Sequence, residues 1–575
     1  MQKVSLRPAY ILFTCLLLAA CSNNNSTPPG TNLKILNLKR GEIVNCGPAD
    51  KEFGSVDFGT TLSGKAREHF QLAIALLHSF EYDEAEKMFA RVIDEEPEYA
   101  MAYWGVAMSN YHPLWVPPNQ QELEKGSKAV LIAQSVKQKT KTESAYVEAI
   151  AAFYKDWEKT HHSTRTKRFE KAMEKLYAEF PGDKEAAIFY ALALTASADP
   201  SDKSFQNQKK AGSILNGLYP GQPNHPGIIH YLIHTYDFPE LAGMALDVAR
   251  KYASVAPSSA HALHMPSHIF TRLGIWDECI SSNLASVSSA QCYAQQTGIK
   301  GHWDEELHGL DYLVYAYLQK GDNEMAKRKL EYVQTMSDVS PINFKVAYAF
   351  AAIPSRYFLE NKMWAEAAGL KIHPSGLPWQ NFPWEKAIIH FTRLMGSVHM
   401  GQTELANTEL DELKRLYNKL TNQKDSYKAN QVQIQIKTAE AWMRYKEGKI
   451  DEALQIMRSA ADLEDKSEKH PVTPGAIIPA RELLADMLLQ MDKADEALTA
   501  YEDDLKKNPK RFNGLYGAAV AAEKSNKLGK AKDYFIQLCE IANSPNANRP
   551  ELRKAKLYLK KTSNDFDNKI DNGRG

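Results

Sequence analysis

The chain has 575 residues, of which 44% are hydrophobic and 24% are charged. This length suits two to four ordinary domains or one long array of repeats. Lysine plus arginine and aspartate plus glutamate both number 70, so the formal net charge is zero. Such a chain has no overall basic field to attract nucleic acid, and we therefore expect no nucleic-acid partner.

The amino-terminal residues have the charge order of a secretory signal. Lys3 and Arg7 precede an apolar run over residues 10–20, which is too short to span a bilayer. The run ends in Leu-Ala-Ala-Cys at residues 18–21, which resembles the lipobox of bacterial lipoproteins. The resemblance implies that residues 1–20 are removed and that Cys21 is acylated. An ordinary cleaved signal or a short buried helix is the alternative interpretation.

A lipidated Cys21 predicts a membrane-tethered protein, because each buried methylene group of an acyl chain strengthens the anchor. Ser22 follows the cysteine, and serine at this position resembles the pattern of outer-membrane rather than inner-membrane lipoproteins. Residues 21–53 then comprise the lipidated cysteine and a flexible polar tether. We expect a protein that is anchored by lipid in the bacterial outer membrane and faces the periplasm.

Four further cysteines are scattered along the chain without C-x-x-C spacing: Cys46, Cys279, Cys292 and Cys539. An oxidising periplasm permits disulfides between them. Four cysteines allow three pairings, and the sequence leaves the choice open.

Small and apolar residues recur at helical spacing with a period of about 34 residues. In the segment 69–97 they are Leu72, Ala73, Leu76, Ala85, Phe89 and Pro97. The same frame fits residues 481–509 and the segment that begins at Leu515, and it resembles the tetratricopeptide repeat. One helix–turn–helix unit cannot bury its apolar face alone, so neighbouring units must stack. We predict an all-α tetratricopeptide-repeat solenoid, a right-handed superhelix, with an irregular helical domain as the alternative for the degenerate middle.

Longer motifs extend this resemblance over most of the chain, from about Gly54 to Gly529. They include H-P-G-I-I-H-Y-L-I-H at 225–234, A-L-H-M-P-S-H-I-F-T-R-L-G at 262–274 and H-G-L-D-Y-L-V-Y-A-Y-L-Q at 308–319. These motifs are similar to those of a family of bacterial tetratricopeptide proteins. The similarity implies the same fold but does not indicate any particular activity. We expect amino-terminal units over 54–220, histidine-rich units over 221–340, degenerate units over 341–428, carboxy-terminal units over 429–560 and a disordered tail over 561–575.

Eight of the 17 histidines lie between His225 and His308. Two pairs are four residues apart, the spacing that puts both side chains on one helix face. In tetratricopeptide units, positions 2, 5, 9, 12 and 13 of the first helix line the inner groove. This frame predicts that one concave groove is lined by six histidines and four supporting residues: His230, His234, His261, His264, His268 and His308, with Asp237, Arg272, Asp311 and Tyr315.

Two features make this register uncertain. Pro266 lies inside the second of the three helices, where it should kink the helix or delay its start. An irregular turn at residues 237–239 can shift the first register and move its histidines into a helix interface. His78 falls at position 13 of an earlier unit, so it is a further candidate for the cluster. The acids at 304–306 are typical of a helix start, and we interpret them as structural.

Three interpretations of the histidines remain open. They can be satisfied polar residues that hold helices together, or they can bind zinc, copper, nickel or iron with Asp237 or Asp311 in support. Protonated histidines and Arg272 can instead bind an organic anion. No H-E-x-x-H motif is present, and the sequence assigns no catalytic residue. We expect a scaffold that binds a protein or peptide in its groove; a metal-binding protein or metal-dependent enzyme is the alternative.

Overall fold

A computed structural model describes residues 35–48, 52–114, 117–200 and 202–572, with side chains as far as residue 562. The signal-like segment and Cys21 lie outside the described residues. Helices account for most of the described residues, and the sheet in the described part is a parallel pair of two-residue strands, β1 (His302–Trp303) and β2 (Val339–Ser340). The predicted all-α tetratricopeptide-type solenoid is confirmed. None of the helices within the described ranges is both long and apolar enough to cross a bilayer.

The amino-terminal helices follow one another as packed neighbours. They are α1 (Gly64–His78), α2 (Tyr82–Glu95), α3 (Ala100–Ser109), α4 (Gln120–Ser135), α5 (Lys141–Tyr154), α6 (His162–Glu179), α7 (Lys184–Ser197) and α8 (Gln206–Leu218).

The histidine-rich middle contains shorter and less regular helices. They are α9 (Pro226–Tyr236), α10 (Leu246–Val255), α11 (Ala260–His264), α12 (Pro266–Leu273), α13 (Trp276–Thr297), α14 (Asp304–Gln319) and α15 (Asn323–Gln334). Short 3-10 turns cover Tyr219–Gly221 and Ala242–Ala245.

The carboxy-terminal helices return to regular pairs after a further 3-10 turn at Trp379–Asn381. They are α16 (Phe344–Glu360), α17 (Trp364–Ala368), α18 (Pro383–His399), α19 (Thr403–Asn422), α20 (Ser426–Lys446), α21 (Ile450–Asp465), α22 (Ala480–Gln490), α23 (Ala494–Lys507), α24 (Phe512–Lys524), α25 (Leu528–Ile541) and α26 (Pro550–Asn572). The last helix extends into the segment that the sequence suggested as a tail.

Close helix packing within the units depends on small residues opposite aromatic rings. A Cβ atom added to Gly105 in α3 would lie 2.2 Å from the ring of Phe89 in α2. Because real Cβ contacts are never this short, only glycine lets the two helices approach so closely.

Capping boxes at Asn119 and Thr140 start α4 and α5 by satisfying backbone N–H groups of the first turn.

The solenoid closes on itself through a buried arginine. Arg511, just before α24, donates to Glu482 at 2.9 Å, to Glu360 at 2.6 Å and to the Tyr315 hydroxyl at 3.2 Å. The Phe512 backbone N–H also donates to Gln319 at the end of α14. Residues about 200 positions apart therefore share one packed interface.

Two segments outside the repeats hold the histidine-rich region in place. The amino-terminal strap, which comprises residues 35–48 and 52–63, is joined to α13 by a disulfide between Cys46 and Cys292, and its Ser55 N–H donates to the Asn224 carbonyl at 3.0 Å. On the other side, the loop 466–479 between α21 and α22 enters the interior, where Lys469 Nζ lies 3.2 Å from Asp237. Both segments restrict access to the inner surface.

We predict that Arg511→Met lowers the free energy of unfolding by about 3–5 kcal/mol, because it leaves Glu360 and Glu482 buried without their cation. Equilibrium urea denaturation measures this change. The control is Arg458→Met, which breaks the exposed ion pair with Glu496 and should cost about 0–1 kcal/mol. Equal denaturation midpoints for the two variants would contradict the closing role of Arg511.

Candidate metal centre

Helix α9 places two histidines on one buried face. His225 caps the helix, with its Nδ1 accepting from the Ile228 N–H, and Pro226 occupies the first turn, where a missing N–H is harmless. A Cβ atom at Gly227 would lie 2.5 Å from the His78 ring, so glycine lets α1 approach α9. The His78 carbonyl oxygen consequently lies 2.6 Å from His230 Nδ1.

The first group of ligand-type nitrogens, called triad A, consists of His230, His234 and His261. The Nε2 atom of His230 lies 2.9 Å from Nε2 of His234 and 3.2 Å from Nε2 of His261. A carbonyl oxygen only accepts, so Nδ1 of His230 carries the hydrogen that it donates to His78. In the neutral ring, Nε2 of His230 then presents a lone pair to the other two rings.

The second group, triad B, consists of His264, His268 and His308. The Nδ1 atom of His264 lies 2.6 Å from Asn283 Oδ1. The amide nitrogen of Asn283 donates to the Cys279 carbonyl, so the amide oxygen is the atom that faces His264. Nδ1 of His264 therefore acts as the donor in this pair. The ring of His308 lies over that of His264, with their centroids 4.1 Å apart.

The second ring of triad B has its orientation fixed in the same way. His268 Nδ1 donates to Asp237 Oδ2 at 3.1 Å, which leaves Nε2 of the neutral ring without a hydrogen. The Nε2 atoms of His264 and His268 lie only 3.0 Å apart. Two lone pairs at this distance repel each other unless a cation lies between or beside them.

Burial keeps five of the six triad rings neutral. Loss of solvent is the largest cause that lowers the pKa of His230, His234, His264 and His308 well below 6.5, and the charges of neighbouring histidines lower it further. The pKa of His268 is also lowered, chiefly by burial. Protonated histidines are therefore disfavoured near neutral pH, which argues against the organic-anion interpretation.

Asp237 and Arg272 support triad B rather than facing open solvent. Burial by itself raises the pKa of Asp237, but Lys469, Arg272 and His268 together outweigh burial and hold that pKa well below its usual range. Arg272 donates from Nε to Asp237 Oδ1 and from a terminal nitrogen to the Asp237 carbonyl, both at 2.8 Å. Because these donors are engaged inside the protein, Arg272 is a poor anchor for an external anion.

Two of the ten predicted groove residues lie elsewhere. Asp311 forms a buried ion pair with Arg356, and burial raises its pKa to about 6. Tyr315 contacts Arg511. The reason is the helical turn of α14, because one residue rotates a side chain by about 100°. The face of α14 that reaches triad B carries His308 and Tyr312. Asp311 and Tyr315, which the sequence placed in the groove, lie on the neighbouring face.

Several residues at this centre were missed by the sequence analysis. Tyr312 in α14 packs edge-on against His264 with 4.6 Å between ring centroids, and its position four residues after His308 was the available signal. Phe80 packs against His230 at 4.4 Å between centroids. Glu305, interpreted as part of a helix start, lies 3.9 Å from His261 Nδ1.

Pro266 does not separate the two histidines of triad B. The chain breaks into α11 and α12 at Met265, whose backbone stays in the right-handed helical region. Pro266 then takes the first position of α12, where its missing N–H costs nothing. His264 and His268 thus remain on one face across the break.

A third histidine group, made of His78, Glu185 and His225, is saturated with hydrogen bonds. His78 Nε2 and His225 Nε2 lie 2.9 and 2.8 Å from the two carboxylate oxygens of Glu185. His78 Nδ1 contacts the Tyr231 hydroxyl, and His225 Nδ1 accepts from a backbone N–H. Every ring nitrogen has a partner, so this group is a structural support beneath triad A.

A cleft of about 1200 Å³ reaches both triads. His261 from triad A and His268 and His308 from triad B contribute to its wall, together with Phe80 and Glu305. The histidine nitrogens are therefore buried but not sealed.

Comparisons with known proteins do not assign a family or a function to the chain. No protein-family model matches the chain, and no curated protein sequence matches it. A human IFIT1 dimer with m7Gppp-AAAA is 12% identical, with a TM-score of 0.33, over 85% of this chain and 92% of that chain. A human IFIT1 dimer with PPP-AAAA is 12% identical, with a TM-score of 0.32, over 84% of this chain and 92% of that chain. Similarity at this level carries no argument about function.

The expectation that nucleic acid is excluded as a partner is corrected. It rested on a net charge of zero, whereas the matching structures contain m7Gppp-AAAA or PPP-AAAA. Net charge is a sum over the whole surface and does not exclude a local basic region. A net charge of zero therefore does not exclude nucleic acid as a partner of this chain.

We predict that the metal-free protein loses stability as the pH falls from 7 to 5. The histidine pKa values are lower in the folded state than the unfolded value of about 6.5, so the unfolded chain binds more protons below that pH. Urea denaturation across this range measures the slope. The double variant His230→Gln, His264→Gln should have a shallower slope, and the control His69→Gln, at a half-buried position outside both triads, should keep the wild-type slope. Identical slopes in all three proteins would refute the assignment.

Proposed function

We propose that the protein is a cell-envelope solenoid that holds two transition-metal ions, one in each histidine triad. The observation that carries this proposal is the pair of Nε2 atoms of His264 and His268, 3.0 Å apart, with both Nδ1 atoms committed to other partners. Metal–nitrogen bonds of about 2.0–2.1 Å put tetrahedral ligands about 3.3 Å apart. A metal ion therefore satisfies both nitrogens with only a small adjustment.

The surroundings of the triads have the form of support that metal-binding histidines need. Such histidines usually donate their other ring nitrogen to a carbonyl or carboxylate, which fixes the orientation of the ring. Here His230 is held by the His78 carbonyl, His264 by Asn283 and His268 by Asp237.

The sequence suggested two functions, the binding of a protein or peptide in a polar groove and the binding of metal. The arrangement of the histidines favours metal binding. The histidines of both triads are buried or nearly buried, and within each triad at least two Nε2 atoms lie about 3 Å apart. A partner surface cannot reach nitrogens in that position without separating the helices. Three protein ligands per ion leave a position for an external ligand, as in many catalytic metal sites.

We also propose that the protein is anchored to the bacterial outer membrane through Cys21 and faces the periplasm. The lipobox-like sequence at 18–21 supports this location. The disulfide between Cys46 and Cys292 is compatible with it, because disulfides persist in an oxidising compartment.

We predict that the protein purified without a histidine tag binds about two equivalents of transition metal, measured by elemental analysis after dialysis against zinc or copper. His230→Ala and His264→Ala should each lose about one equivalent, because each removes one ligand from one triad. The matched control His69→Ala, outside both triads, should keep both. Metal at about one hundred times its Kd should stabilise the wild-type protein by about 2.7 kcal/mol per site.

Two results would overturn the metal proposal. One is the absence of bound metal after dialysis in both the wild-type protein and the control. The other is unchanged metal content in the two triad variants, provided that circular dichroism shows them to be folded.

We predict that Cys21→Ser abolishes incorporation of labelled palmitate and releases the protein from the outer-membrane fraction. The acyl group is attached at this cysteine, so a serine leaves no thiol to modify. Cys539→Ser is the control and should label as the wild type does. Palmitate incorporation that persists in Cys21→Ser would exclude this anchor.

A further inference from the structure

The two triads lie side by side. The ring centroids of His234 in triad A and His268 in triad B are 6.2 Å apart. Each triad supplies three nitrogens, so each ion retains open coordination positions. Two ions in adjacent sites can then share one small external ligand.

The ligands in both triads are neutral. Two carboxylates near the triads approach the Nδ1 side of the rings. Asp237 bonds His268 Nδ1, and Glu305 lies near His261 Nδ1. The facing nitrogens of the three triad A rings, and of His264 and His268 in triad B, are Nε2 atoms. Ions bound there receive no negative charge from their ligand atoms, and Asp237 and Glu305 offset the positive charge only from behind the rings.

This neutrality discriminates between metals. Coulomb repulsion scales with the product of the charges, so two dications repel each other four times as strongly as two monocations. A buried pair of neutral sites therefore favours a metal that is stable as a monocation. Copper meets this condition among the four metals suggested by the sequence, and imidazole is a suitable ligand for it.

Aromatic rings cover the triads while the cleft leaves a path to them. Phe80 packs on triad A, with 4.4 Å to the His230 centroid and 5.7 Å to that of His234. Tyr312 packs against all three rings of triad B. An apolar cover of this kind disfavours hydrated ions, and a small neutral molecule can enter from the cleft.

We propose, building on the proposed metal-binding function, that the two triads hold a pair of copper ions that binds one dioxygen molecule between them. In the reduced protein both ions are Cu(I). Dioxygen takes one electron from each ion, so it is reduced by two electrons to the peroxide level and both ions become Cu(II). The O–O bond is retained and no proton is transferred. Two protons from solvent then release the peroxide as hydrogen peroxide, and two equivalents of a one-electron reductant such as ascorbate return both ions to Cu(I).

The test uses the purified protein loaded anaerobically with Cu(I), freed of excess metal and then exposed to dioxygen. Copper content, dioxygen uptake and electron paramagnetic resonance are measured on the same sample. We expect about two copper ions per chain and uptake of about one dioxygen per pair. The oxidised sample should have almost no resonance signal, because two Cu(II) spins couple through a shared ligand.

Variants test whether both triads are needed. His268→Ala should retain copper in triad A, lose dioxygen uptake and show the resonance signal of isolated Cu(II) after oxidation. His308→Ala serves the same purpose if the first variant does not fold. His69→Ala should match the wild type in all three measurements.

The outcomes separate this inference from the function on which it rests. Two bound coppers with a full Cu(II) signal after chemical oxidation and no dioxygen uptake would overturn the paired centre and leave metal binding intact. Dioxygen uptake retained in His268→Ala would also overturn it. A wild-type protein that binds no metal would overturn both proposals.

Discussion

The buried carboxylate of Asp237 joins three parts of the molecule that are distant in sequence. It accepts hydrogen bonds from His268 at 3.1 Å and Arg272 at 2.8 Å, and it pairs with Lys469 at 3.2 Å. A buried carboxylate is costly unless its oxygens are fully partnered, so these donors cannot separate without a large loss of stability. The end of α9, helix α12 and the loop 466–479 are consequently held in one arrangement. That arrangement keeps Nε2 of His268 directed at His264.

The three histidine groups differ in one physical respect, the supply of hydrogen-bond partners. In the group around Glu185, one carboxylate serves two rings and the remaining ring nitrogens have partners of their own. In triads A and B, the Nδ1 atoms of His230, His264 and His268 have fixed partners and the Nε2 atoms meet one another. The same residue type therefore serves as structural support in one group and forms a candidate ligand set in the other two.

Closure of the solenoid explains why the centre is buried instead of lying in an open groove. A tetratricopeptide array normally presents an extended concave surface. Here the Arg511 network joins the carboxy-terminal units to α14 and α16, and a loop from those units enters the interior. The amino-terminal strap, held by the disulfide to Cys292, covers another side. A cleft nevertheless reaches His261, His268 and His308.

The sequence by itself determined the helical repeat and the candidate histidines, because both depend on local periodicity: apolar spacing specifies amphipathic helices, and residues four apart share a face. Tertiary structure alone decided how those histidines are used. His230 is oriented by a carbonyl 152 residues away, and Asp237 is paired with a lysine 232 residues away. The rotation of α14 turned Asp311 towards Arg356 and brought Tyr312 to triad B. Such contacts arise from the packing of units that are remote in the chain, so no local pattern in the sequence contains them.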